Sequence, residues 1–484
     1  MKILMLNPSY GKNFVRSARW AARSRGRVQR HPDYLAIATA VLEKEGHEVK
    51  LLDAAALNIE LEGVRKIAEE FKPDLSVIHT TTPSIYNDIK HAEMLKDLGS
   101  TTVLIGQHAS ALPIETMQMS EKIDYIARGE YDYTLRDIAN GKDPADILGI
   151  TYRNGNEIIN IEDRPLIKNI DEMPFPAWHQ IDVHDYFDAG KLYPFITMIS
   201  GRGCPNNCSF CVLPQVFYGK KYRFRSAKRV VDEIEYDLEL FPDLKEVMFE
   251  DDTITANKKR CADICNEIIN RGLNKKISWS ANARADLDDF ELLKLMKESG
   301  CRMLVVGYEF GDQKILDNVR KRLTVEQMKE FARLTRKAGI MVHGCFMIGG
   351  PGETRETAVK TVKLPRELKP DTLQFSALTP YPGTAFYDWC KENGYIIAND
   401  WTEWVDAGEQ STVVEYPNLS KDEIVNLVDK GLYENFYFRP STWVHHLLTI
   451  RGYDDFKRKV KGARSLVGYW WGKRAERNVK SRYK

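Results

Sequence analysis

"PFITMISGRGCPNNCSFC", residues 194–211, is the stretch on which the fold turns. Phe195 to Ile199 form a short apolar run with β-branched Ile196, Thr197 and Ile199, the pattern of a buried strand. A glycine-flanked arginine, Arg202, ends the run, and Cys204, Cys208 and Cys211 follow at once. Cys301, Cys345 and Cys390 stand alone, while Cys261 and Cys265 lie four apart on an expected helix, where core packing accounts for them. A strand that runs straight into a loop of three thiols puts chemistry at a strand's carboxyl end, where βα barrels keep it.

Working outward, the alternation continues downstream. Strands are expected at 245–250, 277–282, 302–308, 340–347 and 371–378, with helical patterns such as "SAKRVVDEIEYDLELF" and "TVEQMKEFARLTRKAG" between them. That makes six βα units, two short of a full eight-fold barrel. Upstream, "KILMLNP", "HEVKLLDA", "DLSVIHTTT", "TTVLIGQHAS" and "IDYIARGE" alternate with helices such as "VRKIAEEFK". Short apolar strands between amphipathic helices imply a parallel sheet covered on both faces, with its ligand at the strands' carboxyl ends. "ITYRNGNEIIN" reads as a hairpin around Asn154-Gly155.

The expected fold class is therefore α/β: a doubly wound Rossmann-like domain over 1–162, an extended linker over 163–190, a partial (β/α)6 barrel over 191–400, and a helical extension with a basic tail over 401–484. Ser420, with Glu423 at the capping-box position, opens a helix in that extension.

Composition excludes several classes. Charged residues at 29% and hydrophobic ones at 43% are ordinary globular values, and a net charge of +1 gives no general attraction to nucleic acid. Residues 12–30 carry seven Lys or Arg and no acid, and residues 457–484 carry eleven against Glu476 alone. These are solvated basic segments or contacts to phosphates or an anionic membrane surface. "KRKVKGARSLVGYWWGKRAERNVKSRYK" interleaves its charges with Tyr469, Trp470 and Trp471, as an interfacial helix does, although Gly462, Gly468 and Gly472 interrupt it. No leader and no apolar run of spanning length is found, so a cytoplasmic protein is expected, with peripheral membrane contact at most.

Three thiolates can hold three irons of a [4Fe–4S] cubane and leave the fourth open to a chelating ligand. Zinc is the competing reading, but a structural zinc site takes four ligands and no fourth Cys or His lies nearby. With these cysteines behind the first strand of a six-unit barrel, and with "FEDDTIT", "VVGYEFGDQKIL" and "GCFMIGGPGET" at later strand ends, the chain resembles the radical S-adenosylmethionine superfamily.

That resemblance implies that the open iron binds S-adenosylmethionine and that one electron, from a flavodoxin- or ferredoxin-type donor, yields a 5′-deoxyadenosyl radical. It also implies cofactor contacts from Phe210, from Glu250, Asp251 and Asp252, from Glu309, and from Gly349, Gly350 and Gly352. The bland alternatives are core packing for Phe210, a plain acidic turn at 250–252 and a strand-to-helix turn at the glycines. No catalytic residue is assigned. Tyr308, Cys345 and Tyr381 are chemically able to return a hydrogen atom.

The first domain resembles the cobalamin-binding domain that precedes many such barrels. Thr81, Thr82 and Ser84 in "HTTTPS" and Gly106, His108 and Ser110 in "GQHAS" are the implied cobalamin contacts. The Asp-x-His-x-x-Gly motif that supplies histidine to cobalt elsewhere is absent, and a satisfied loop histidine is the alternative for His108.

Through "IHTTTPSIYNDIKHAE", "RGEYDYTLRDIANG", "VVGYEFGDQKILDNVRK" and "YENFYFRP", nearly the whole chain further resembles the hopanoid-biosynthesis members of the superfamily. This implies a lipid-linked sugar substrate and ring contraction to the cyclitol ether head group of a bacteriohopanepolyol. The rival expectations are a cobalamin-dependent radical C-methyltransferase and, from another class, a non-catalytic iron–sulfur carrier or sensor. A nucleic-acid partner is not expected, since no appended RNA-binding domain is visible.

Overall fold

The computed structural model describes residues 1–437 except 18, 20, 24–27 and 407–408, together with residues 450, 456, 457, 460 and 464. The expected interfacial helix around Tyr469 to Trp471 lies outside the described residues.

The first sheet is built from β1 (Lys2–Asn7), β2 (Glu48–Asp53), β3 (Leu75–Thr80), β4 (Thr101–Gly106), β5 (Tyr125–Ala127), β6 (Ile150–Asn154) and β7 (Glu157–Asn160), in spatial order 2-1-3-4-5-6-7. Strands β1 to β5 are parallel, and β6 and β7 form the antiparallel hairpin about Asn154-Gly155. With β2 and β3 on opposite sides of β1, the order reverses there and opens a crevice at the carboxyl ends. The helices Asp33–Lys44 and Ile85–Asp97 cover the sheet with buried apolar stripes.

The second sheet is wholly parallel: β8 (Phe195–Met198), β9 (Glu246–Phe249), β10 (Ser278–Ala283), β11 (Cys301–Glu309), β12 (Met341–Ile348) and β13 (Thr372–Ala377), adjacent in chain order. Each expected barrel strand is thus found within a residue or two. The helix Val325–Ala338 shows why its borders were readable. Thr324 and Gln327 form a capping box, and Gly339 at φ +72° ends it. Tyr308, Phe346 and Phe375 stack across β11 to β13 on the helix side, each pair contributing roughly 0.5–1.5 kcal/mol beyond its buried area.

Residues 163–190, expected as an extended linker, hold only short single turns but are packed rather than free. Trp178 and Tyr186 are buried, and Tyr186 stacks on His31 of the first domain at 4.0 Å. A hairpin from Phe14–Arg16 and Ala21–Arg23 joins Glu409–Gln410 and Val405–Asp406 in a small sheet, tying the two ends of the described chain together. The helix Lys421–Leu432 opens on the Ser420–Glu423 capping box.

Candidate functional site

The cysteine loop leaves β8 through Gly201-Arg202-Gly203. Gly203 has φ +88°, and an added Cβ would lie 2.4 Å from the Lys221 carbonyl, so only glycine fits. Cys204 and Cys208 are buried and Cys211 is half-buried. Burial pushes the Cys211 thiol up to about 12, with Asp252 and Cys208 adding to the rise, and it also raises Cys204. Cys208 thus lies close enough to both Cys204 and Cys211 to disfavour their thiolates. Among the described residues, however, no three His, Cys, Asp or Glu side chains converge as ligands of a single ion must.

Gln215 ties the loop. Its amide nitrogen lies 2.8 Å from the Cys211 carbonyl and 3.2 Å from those of Cys208 and Ser209, while its oxygen accepts from the Ala385 amide at 3.0 Å. Nothing in the sequence around Gln215 announces this. Phe210 is half-buried against the core.

The acidic triplet ends β9, and its members have different tasks. Asp251 accepts from the Ser200 amide and hydroxyl, the Gly201 amide and the Tyr222 hydroxyl, so its oxygens are committed to the strand end. Glu250 pairs with Arg30 and accepts from Asn282 at 3.2 Å. Asp252 is the least firmly held. Its carboxylate is buried, Arg19 reaches it only at 3.4 Å, and the Gly203 amide acts on it from the cysteine loop. Burial pushes its carboxyl up to about 6.

Arg19 also donates to the carbonyls of Glu250 and Asp251. With Arg16, which is buried against Asp88, it shows what part of the acid-free run at 12–30 does: it enters the protein as ion-pair partners. A run of arginines without acids was the available signal.

Glu309 closes β11 at φ +66° and is paired with Lys321 at 2.7 Å. Gly307 makes room for this pair, since an added Cβ would lie 2.2 Å from Glu309 Oε1. The Gly349 and Gly350 amides after β12 donate to Glu353, a residue that sequence reasoning missed, and Gly352 follows at φ +75°. Tyr308 faces the helices, Tyr381 is buried beside Ala21, and Cys345 faces the barrel interior.

In the first domain, Thr81 and Ser84 are engaged internally: Ser84 hydrogen bonds Asp88 at 2.7 Å, Thr81 at 2.7 Å and Arg16 at 2.6 Å. Ser110 accepts from the Gly129 amide. Gly106, at φ +110°, passes so close to β3 that a Cβ would lie 2.3 Å from the Thr80 carbonyl. Beside it the Thr82 hydroxyl, both polar atoms of Gln107 and both nitrogens of His108 are buried without a partner. The His108 ring meets Trp401 edge to face at 4.9 Å, and burial lowers its pKa to about 3. His108 is thus not the satisfied loop histidine of the bland alternative.

The two sites are welded together. Arg202 donates to Glu130 at 2.8 Å and Asp132 at 2.7 Å, and Arg223 to Glu130 at 2.8 Å, all buried. Tyr34, on the first domain's opening helix, stacks on Tyr218 and packs beside Cys211.

The model of the radical SAM superfamily matches residues 198–364, and that of the B12-binding domain matches residues 28–139. An uncharacterized methyltransferase of Pyrococcus horikoshii is 32% identical over 429 residues, 87% of this chain and 91% of that protein. The chain belongs to the radical SAM superfamily.

As a radical SAM enzyme with a B12-binding domain, it uses a [4Fe–4S] cluster, S-adenosylmethionine and cobalamin. The residues present fit that set: three thiols, two of them buried, and the buried carboxylate of Asp252 on one side, a close-approach glycine and unpartnered polar atoms on the other. An anaerobic magnesium-protoporphyrin IX monomethyl ester cyclase of Cereibacter sphaeroides is 29% identical, covering 80% of this chain and 63% of that one. A hopanoid C-3 methylase of Methylococcus capsulatus is 25% identical over 83% and 74%. The methyltransferase TsrM of Kitasatospora setae, solved with cobalamin and a [4Fe–4S] cluster, shares the fold at a TM-score of 0.71 and 17% identity, covering 97% and 99% of the two chains.

Proposed function

We propose that this radical SAM enzyme is a cobalamin-dependent C-methyltransferase. The observation that carries the reading is the joint: Arg202, inside the cysteine motif's own approach, is bound to Glu130 and Asp132 of the B12-binding domain, so the two cofactor sites keep a fixed separation. Similarity to a methyltransferase over 87% of the chain supports it, and favours methyl transfer over the ring contraction expected from the sequence. When bound, S-adenosylmethionine with the cluster supplies hydrogen abstraction and cobalamin supplies the methyl group.

The chain's own residues divide the remaining work. Cys204, Cys208 and Cys211 would hold the cluster, and Gln215 keeps their loop in shape. Asp252 offers its carboxylate to a cationic group, and the Glu309–Lys321 pair forms part of the wall. Thr82, Gln107 and His108 offer donors and acceptors to cobalamin. A flavodoxin- or ferredoxin-type reductant fits this chemistry. Among the described residues, no helix is long and apolar enough to cross a membrane.

The test is anaerobic turnover with dithionite, methyl-deuterated S-adenosylmethionine and an extract of the source cells. A product carrying the deuterated methyl group, formed with both 5′-deoxyadenosine and S-adenosylhomocysteine, is expected. Formation of 5′-deoxyadenosine with an unlabelled, isomerised product would restore ring contraction.

A further inference from the structure

The six barrel strands do not close, and alternate side chains on their inner face are only half-buried. Along β12, Met341, His343, Cys345 and Met347 are half-buried, while Val342, Gly344, Phe346 and Ile348 are buried. Phe346 stacks on Phe375, which lies against Gly431 of the covering helix, so the buried set faces outward and the half-buried set faces the interior.

Register carries this interior face across the sheet. Thr372, His343, Val305 and Asn282 form one row, and Gln374, Cys345 and Gly307 form the next. On β13, Gln374 is exposed while Phe375 and Ala377 are buried. The irregular segments at 28–31 and 186–191 add charge. Arg30 bridges Glu250 and Asp188, and Lys191 donates to Ser280 at 3.0 Å. His343 lies 2.7 Å from the Thr372 hydroxyl and is near enough to Asp188 and Lys191 to feel both charges.

The accessible interior is thus lined by an amide at Asn282 and another at Gln374, an imidazole, hydroxyls and an ion pair, with Val305, Met341, Cys345 and Met347 as its apolar share. Hydrocarbon rings placed there would strip water from these groups and return no hydrogen bond.

We infer that the part of the substrate entering the barrel is a polar group bearing both hydrogen-bond donors and acceptors, read by Gln374 and His343, and not the hydrocarbon portion of a lipid. This rests on the proposed function only in that a reacting carbon must be brought into the barrel. Two sources share the chemistry: a free water-soluble metabolite, and the head group of a lipid whose tail stays outside.

Cluster- and cobalamin-loaded enzyme, immobilised anaerobically with S-adenosylmethionine, is exposed in turn to the water-soluble, polar-lipid and apolar-lipid fractions of the source cells. Retained compounds are identified by mass spectrometry, in parallel with Gln374→Leu and His343→Leu proteins of matched iron content and melting temperature. A polar compound held by the wild type and retained about tenfold less by either variant is expected. The water-soluble fraction yielding it assigns a metabolite, the polar-lipid fraction a head group. A ligand found only in the apolar fraction, one retained by both variants as strongly as by the wild type, or none at all overturns the inference. Retention reads occupancy, so it stands or falls separately from the methyl-label assay.

Discussion

Arg202 and Gln215 show how much of this site depends on single side chains that are not ligands. Gln215 gathers the carbonyls of three residues in the cysteine loop, and a leucine of similar size would leave them without that donor. Buried polar groups left unmet cost about 1–3 kcal/mol each, so the loop of Gln215→Leu would lose its set shape. Reconstituted Gln215→Leu is expected to hold less iron per chain than the wild type while keeping its far-ultraviolet circular dichroism. Cys208→Ala, which removes a ligand outright, is expected to lose the cluster and all S-adenosylmethionine cleavage. Iron analysis with electron paramagnetic resonance checks both, and a fully loaded Cys208→Ala protein would remove this loop from the cofactor site. Arg202 was visible in the sequence only as a charge between glycines. Its purpose needed residues 70 and 72 positions away, Asp132 and Glu130.

At the scale of elements, the turn after β12 is held by one carboxyl group. Burial pushes Glu353 up to about 8, although the Gly349 and Gly350 amides pull the other way. A folded-state pKa above the unfolded value of about 4.3 means that this group's stabilising contribution is full below that value and is lost as pH rises through about 8. Glu353→Gln keeps an acceptor for the two amides and removes the titration. Its melting temperature should therefore fall less than that of the wild type between pH 5 and 8.5, by roughly the contribution of one buried carboxyl. Equal slopes in differential scanning fluorimetry would show that the group does not titrate in this range. Strands and helices were legible because period and caps are local: Thr324 with Gln327, Ser420 with Glu423 and Gly339 lie within a few residues of the borders they set. The tasks of Glu250, Asp251 and Asp252 were not legible, because they depend on Arg30, Ser200 and Arg19 from remote segments. The setting of the His108 ring was no more legible, because it packs against Trp401, nearly three hundred positions on.

For the whole molecule, the decisive contact is the buried joint in which Glu130 receives both Arg202 and Arg223, and through which the B12-binding domain holds the approach to the cysteine loop. Burial alone would raise the Glu130 pKa, but the two guanidinium groups outweigh it and hold the carboxyl below its ordinary value. The joint's stabilisation is therefore present above the unfolded value and is lost as pH falls through the depressed one, so acid should loosen the domains before it melts either sheet. Glu130→Gln leaves Arg223 buried without a carboxylate and Arg202 with Asp132 alone. Breaking such a pair costs about 3–5 kcal/mol. Urea denaturation followed by tryptophan fluorescence should show that loss, and the single transition should split if the domains are coupled mainly here. Glu130→Gln combined with Arg223→Met, which removes the stranded charge as well, should recover part of it. If the double variant is no more stable than Glu130→Gln, the cost lies in lost hydrogen bonds rather than in an unpaired cation, and the joint works as a positional clamp rather than an electrostatic one.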